Sequence, residues 1–350
     1  MSQSAAVIDM SSDTATKPTR EMRAFMLDAE VGDEQRREDP TVNLLQEMVA
    51  DLLGKEEALF LPSGTMCNAI AIRLHTRPGD ELILDQNAHP YTSEGGGPSA
   101  LAGVSCRLLA GDRGVFTADQ VAAAISQENP HSARSRMVSI ENTTNAGTGR
   151  VWTLEQVGAV AAVARAHGLS THMDGARLMN AVVASGISAR DFTADMDTAW
   201  IDLSKGLGCP VGGVLAGSHE DMYIARRYKH LYGGAMRQAG IIAAAGVYAL
   251  NHNVDRLAED HANAHALAEG LSGMPGIEID VSRVETNIVH FDIVHERLDG
   301  GSFNEAITAA GVRMGGYEGG TRVRAVTHLD VSADDIERAL EIVSGVLARA

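Results

Sequence analysis

Short apolar runs that end in a polar residue, each leading into a stretch of helical period, recur from residue 58 to residue 204. This alternation limits the fold more than any other feature of the chain. ALFLP (58–62), ELILD (81–85), SCRLLA (105–110), RMVSIE (136–141), LSTHMD (169–174) and TAWIDLS (198–204) read as strands. TVNLLQEMVADLLG (41–54) reads as a helix stopped by Gly54, and TLEQVGAVAAVARAHG as one opened by Thr153 and closed by Gly168. Strands alternating with helices predict a mostly parallel α/β sheet, with ligands beyond the carboxyl ends of its strands. From about residue 238 the pattern changes. A long helical stretch to Leu271 is followed by GIEID, TNIVHFDI, a helix near 302–310, RVRAVTH and a terminal helix opened by Ser332. We therefore expect a large domain over 1–245, including the N-terminal segment, and a smaller α+β domain over 246–350.

Composition limits the partners. Hydrophobic residues make up 45% of 350 and charged residues 21%, enough apolar area for two packed domains. Lys and Arg total 29 against 46 Asp and Glu, a formal charge of −17. Such a surface repels phosphate backbones and anionic lipid, which argues against nucleic acid or membrane as the main partner. Cys67, Cys106 and Cys209 share no CxxC spacing, so no disulfide framework or zinc knuckle is expected. MSQSAAVIDMSSD lacks the basic and apolar regions of a secretory leader, and the longest apolar run, 241–250, is about half a membrane span. A cytoplasmic protein is the expectation.

Three motifs fall at strand ends. In PSGTM (62–66), Gly64 and Thr65 follow a strand and open a helix, whose free N–H groups suit a phosphate; a plain strand-to-helix turn reads the same way. In HMDGAR (172–177), Asp174 ends a strand, where a carboxylate can hold a heterocyclic nitrogen protonated. Arg177 offers a planar fork for a carboxylate, although a local Asp–Arg pair is the simpler reading. His172 and Asp174 have no third partner spaced to complete a metal site. Lys205 stands in IDLSKGLGCPVGG, whose glycines do not fit a dinucleotide fingerprint but permit close approach of a ring or of backbone. A lysine crowded there loses its proton more readily than a surface lysine and can add to an aldehyde. A phosphate cup, an acid, an arginine and then a lysine are the parts that hold pyridoxal phosphate.

With SSDTATKPTREMRAFMLDAEVGDE, REDPTVNLLQE, LFLPSGTMCN, HMDGARLMNA, LSKGLGCPVGGVLAGS, GGAMRQAGIIAAAG and RAVTHLDVS, the chain resembles the threonine aldolases of the β-eliminating lyase group nearly end to end. These are fold-type I pyridoxal phosphate enzymes. The resemblance implies a homotetramer, or dimer of dimers, with shared active sites, and an amino acid substrate. It implies Lys205 as the lysine that forms the Schiff base and Asp174 as the partner of the pyridine nitrogen. His89 would stack on the ring near the substrate hydroxyl, and Gly64 and Thr65 would bind the phosphate. Ser12, Arg177 and Arg324 would hold the substrate carboxylate. The activity implied is cleavage of L-β-hydroxy-α-amino acids such as threonine, allo-threonine or phenylserine to glycine and an aldehyde. β-Elimination, racemisation and a non-catalytic cofactor-binding role are the rival readings.

Three segments depart from the family pattern. VGDEQRREDP stands where VGDDVYGEDP is usual, placing Arg36 and Arg37 at a tyrosine and a glycine. Thr144 in ENTTN replaces the histidine of ENTH, and Lys229 replaces a phosphate-contacting arginine. We expect Arg36 or Arg37 to alter the pocket for the β-substituent in favour of a polar or acidic one.

Overall fold

The computed structural model describes residues 7–316 and 320–350. Residues 1–6, part of the segment read above for a leader, lie outside them.

The first strand, β1 (Ile8–Met10), does not join the large sheet. That sheet is built from β2 (Glu57–Leu61), β3 (Asp80–Asp85), β4 (Ser105–Leu109), β5 (Arg134–Glu141), β6 (Ser170–Gly175), β7 (Thr198–Asp202) and β8 (Gly213–Gly217). Among the described residues its order is β2-β8-β7-β6-β5-β3-β4. Only the pairings of β8 with β2 and β7 are antiparallel. Because β8 opposes both neighbours, β2 runs parallel to β7, and the carboxyl ends of β2, β3, β5, β6 and β7 share one edge. Every residue of β3, β7 and β8 is buried. Helices cover both faces, which is why β3 and β7 read as apolar runs without alternation.

The helix Pro40–Leu53 shows how firmly local chemistry sets its limits. Asp39 caps its start by accepting from the Val42 amide at 3.0 Å, Pro40 occupies the first turn, and Gly54 ends it at φ +61°. Its apolar face packs on the helix Gly240–His252. The single helical stretch expected after residue 238 is in fact two helices, Gly240–His252 and Leu257–Ser272. The break has a use: Asn253 donates its side-chain amide to the Leu207 carbonyl at 2.8 Å, tying down the glycine-rich loop after Lys205.

The smaller sheet adds β9 (Ile277–Glu278), β10 (Ile288–Ile293), β11 (Val312–Gly316) and β12 (Arg322–Val326), in the order β1-β11-β12-β10-β9. β1 pairs with β11 in parallel, Ile8 opposite Val312. Its Ile8 and Met10 pack with Phe291, Phe303 and Val343 in a core distinct from the one under the large sheet. The expected division at 245/246 falls inside the helix Gly240–His252, and the large core continues to Leu257. Among the described residues, no helix is long and apolar enough to cross a membrane.

Candidate active site

The carboxyl edge of the large sheet gathers the predicted residues. β2 ends at Leu61, and after Pro62 and Ser63 the helix Gly64–His75 begins. Ser63 caps it by accepting from the Met66 amide at 3.2 Å, leaving the Gly64 and Thr65 amides at the open, positive end. Only glycine fits at 64, since a Cβ there would come within 2.3 Å of the Trp200 ring.

Asp174 is the penultimate residue of β6 and is 1% exposed. Its Oδ2 accepts from Asn68 Nδ2 at 2.8 Å and its Oδ1 from the Ala176 amide at 3.1 Å, each oxygen keeping a further lone pair. Lys205 follows β7. Its Nζ lies 3.1 Å from Asp202 Oδ2, with the lysine side chain 16% exposed, so it is not a solubilising surface lysine. Gly208 and Gly212 adopt φ of +76° and +110°, and the Lys205 carbonyl accepts from the Gly208 amide at 2.8 Å. That tight turn is the reason for the glycine run.

His89 begins a short helix after β3 and sets Nδ1 2.8 Å from Glu94 Oε1. The same oxygen accepts from Asn68 Nδ2 at 2.8 Å. The hydrogen bond to Glu94 raises the His89 imidazole above its usual value against the effect of burial; Asp174 and Glu94 add to the rise and Lys205 opposes it. Burial raises the Glu94 carboxyl as well. Beside them, burial and then the charge of Asp174 push the Glu141 carboxyl up to about 7.

The two arginines converge. Arg177 binds Asp13 side-on, Nε to Oδ2 and Nη2 to Oδ1, both at 2.7 Å. Asn145 Oδ1 then accepts from Arg177 Nη1 at 3.3 Å and from Arg324 Nη2 at 2.9 Å. One oxygen thus occupies the meeting point of two guanidiniums, the environment a carboxylate requires. Burial would raise the Asp13 carboxyl, but Arg177, and then Lys205 and Arg324, hold it well below the usual carboxylate range. Ser12 lies one residue away and caps a short turn, accepting from the Thr14 amide at 3.2 Å. A cleft of about 680 Å³ opens beside this point, lined by Asn87, Ser93, Asn145, His290 and Arg324.

Lys229 lies 2% exposed inside the protein, bonded to Glu34 and, at 2.8 Å, to the Phe60 carbonyl in β2. Thr144 is buried against Gly114 and Gly147, and its Oγ1 has no hydrogen-bond partner among the described residues. Arg36 and Arg37 face away from the cleft of their own chain. Their side chains are 74% and 61% exposed, and Arg37 pairs with Glu57 at 2.7 Å. Arg37 holds φ +62°, the left-handed region that favours glycine. Relief of that strain exceeds the loss of an exposed ion pair, so Arg37→Gly raises the stability by about 0.5–1 kcal/mol, read in a denaturant titration.

Asp13, Asn68, Glu94, Glu141 and Asn145 escaped the sequence reading. All but Glu94 lie within a quoted motif, yet only the register and loop closures show that they touch the predicted residues.

The residues suit pyridoxal phosphate: an amine at Lys205, a buried acid at Asp174 and a glycine whose missing Cβ opens a helix start. The family model described as beta-eliminating lyase matches residues 9–295. The low specificity L-threonine aldolase of Escherichia coli (strain K12) is 40% identical over 98% of this chain and 100% of that protein. A probable low-specificity L-threonine aldolase 2 of Arabidopsis thaliana is 38% identical over 95% of each. Among solved structures, a Leishmania major threonine aldolase superposes with a TM-score of 0.82 at 20% identity, covering 97% of this chain and 99% of that one. An SPT solved with PLP reaches 0.73 at 16% identity, over 98% and 88%. The last two likenesses establish the fold.

Proposed function

This chain belongs to the beta-eliminating lyase family, and we propose that it cleaves L-β-hydroxy-α-amino acids to glycine and an aldehyde with pyridoxal phosphate as cofactor. The observation that carries the reading is the shared sheet edge, where Lys205, Asp174 and His89 stand beside two arginines converging on one acceptor. Bound there, the cofactor supplies an aldehyde for the Lys205 amine and an electron sink for the pair released when a bond to the substrate α-carbon breaks.

The protein's own groups do the rest. The Gly64 and Thr65 amides receive the phosphate at the helix start. Lys229, spent on Glu34 and the Phe60 carbonyl, braces β2 beneath that helix start rather than adding charge to it. Asp174 keeps a proton on the pyridine nitrogen. The outward edge of Arg177 and the guanidinium of Arg324 take the substrate carboxylate, with Ser12 beside them, and so decide which α-carbon bond is oriented to break. With Nδ1–H donated to Glu94, His89 presents Nε2 as an acceptor for the proton of the substrate β-hydroxyl.

That arrangement carries a pH prediction. His89 accepts only when neutral, so kcat falls as pH drops through its raised value. Glu94→Gln keeps an oxygen for both His89 and Asn68 but removes the charge, and moves the acid limb of the kcat profile down by about one unit. A limb that stays in place would remove His89 from the proton's path.

We also infer a homotetramer. Phe25, Leu27, Leu44 and Ile241 are exposed on three helices that pack side by side, an apolar face suited to another copy. The activity is tested by absorbance between about 300 and 500 nm with pyridoxal phosphate, and by product analysis with L-threonine, L-allo-threonine and L-phenylserine. Aldehyde and glycine support the reading. Ammonia and a keto acid would move the chemistry to elimination, and no absorption band would remove the cofactor.

A further inference from the structure

One chain of buried hydrogen bonds crosses the large sheet from its amino edge to Asp174, and its direction can be deduced link by link. Asn68, 1% exposed, touches two carboxylates through Nδ2: Asp174 Oδ2 and Glu94 Oε1, each at 2.8 Å. A carboxylate accepts, so that atom is the amide nitrogen. Asn68 Oδ1 must then accept from both of its neighbours. Trp200 Nε1, a donor only, lies 2.8 Å away, and His172 Nε2 lies 3.2 Å away. His172 therefore carries its proton on Nε2. Burial, with the charge of His75 adding to it, pushes this imidazole down to about 3, so the ring is neutral and Nδ1 accepts. Its partner is the Thr198 hydroxyl at 2.8 Å, which must donate. Thr198 Oγ1 in turn receives His75 Nε2–H at 3.0 Å.

All the donors in this chain point toward the active site. Asn68 uses both amide protons and both lone pairs, so neither rotation nor a flip of its amide is available without breaking four hydrogen bonds. The same amide serves Asp174 directly and His89 through Glu94. The far end opens on a polar cavity of about 340 Å³ lined by His75, Arg77, Arg134 and Arg136 at the amino ends of β3 and β5. Nothing in packing requires this order of polar groups in an apolar interior.

We propose that His172, fixed in one tautomer by Thr198 and His75, is a positioning residue that locks the Asn68 amide and through it orients both Asp174 and the Glu94–His89 pair. The proposal rests on the cofactor reading above, because Asp174 matters in this way only if it faces a ring nitrogen. It adds residues that touch neither cofactor nor substrate.

The test uses the full-length protein with pyridoxal phosphate and compares His172→Phe, His172→Gln and Thr198→Val. Phenylalanine keeps the ring volume and removes both nitrogens, glutamine restores a donor toward Asn68, and valine replaces the hydroxyl with a methyl group. Four quantities are read: the dissociation constant for pyridoxal phosphate, the position of the visible absorption band, kcat separately from KM, and the melting temperature without cofactor. His172→Phe is expected to weaken cofactor binding and lower kcat by about 10–100-fold, the range for groups one layer behind a reactive one, with KM changed less than about twofold. Its absorption band shifts, because the charge facing the ring nitrogen moves. His172→Gln recovers most of both losses. Thr198→Val shows the same pattern at about 3–10-fold and carries the test if His172→Phe does not fold.

Melting temperatures that fall while band, cofactor affinity and kcat stay at wild-type values would make His172 a core residue only and overturn the proposal. Failure of glutamine to rescue any loss would overturn it as well. A wild-type protein that shows no band and binds no pyridoxal phosphate would instead overturn the cofactor reading on which it rests.

Discussion

Lys205→Ala abolishes aldehyde release, with an expected loss of about 10⁴-fold or more in kcat, and removes the visible band of the bound cofactor. The expectation follows from placement. Lys205 is the amine at the carboxyl end of β7, held beside Asp202 and inside a turn that only glycines permit. Stability changes far less than activity. Asp202 Oδ1 still accepts from the Ser204 amide at 2.7 Å and from its hydroxyl at 2.8 Å, so the orphaned carboxylate costs about 1–3 kcal/mol. Lys205→Arg separates the two effects. It keeps a cation beside Asp202 and the fold with it, yet cannot surrender a proton to act as an amine. Absorbance, aldehyde assay and thermal melt on the same preparations check all three statements. Aldehyde release by Lys205→Arg at the wild-type rate would show that the amine is not the nucleophile.

Arg177→Met strikes stability as well as substrate binding. Asp13 is fully buried, and its two oxygens are paired with Arg177 at 2.7 Å. Removing the guanidinium leaves a charged group in the interior with little beyond the Asn287 amide at 3.2 Å, at a cost of about 3–5 kcal/mol. The effect has a definite pH sign. In the wild type, Asp13 is held below its unfolded value, so the pair contributes its full stability above about pH 4 and loses it as the pH falls below that. In the variant Asp13 gains by protonation, so the difference between the two proteins narrows on acidification. Asp13→Asn combined with Arg177→Met restores much of the stability and none of the substrate affinity. Urea titrations at several pH values together with KM measurements would show this, and a gap that widens in acid would be inconsistent with a buried, unpaired Asp13.

β2, β3, β5, β6 and β7 were legible because they are largely buried and read as apolar runs between helices. β8 was not, since Gly213–Gly217 continues a glycine-rich loop and its strand character comes from lying between β2 and β7. β1 is three residues long, too short for any period to register. The break at Asn253 was hidden because apolar spacing continues across it and no proline or glycine interrupts it. At the site, residues whose chemistry is distinctive in isolation could be picked out: a lysine among glycines, an acid and an arginine at a strand end. Asn68, Glu94 and Asn145 could not, because a polar amide or a lone glutamate gains its meaning only from what stands opposite. The left-handed conformation of Arg37 was likewise visible only as a departure from a glycine, and its side chain faces Glu57 rather than the cleft of its own chain.

The pairing of β1 with β11 has a consequence for the order in which the protein becomes functional during synthesis. Asp13 is made before Arg177, and Arg177 before Asn287 and Arg324. The large sheet can be covered and the loop after Lys205 tied down once the helix Gly240–His252 and Asn253 have emerged, so Lys205 and Asp174 find their places first. The carboxylate grip cannot: its floor hangs from a strand that must wait for β11 and β12 to be made. A chain halted before β11 would therefore carry a formed cofactor cup without the means to choose which substrate bond to break, and selectivity follows the cup in the growing polypeptide.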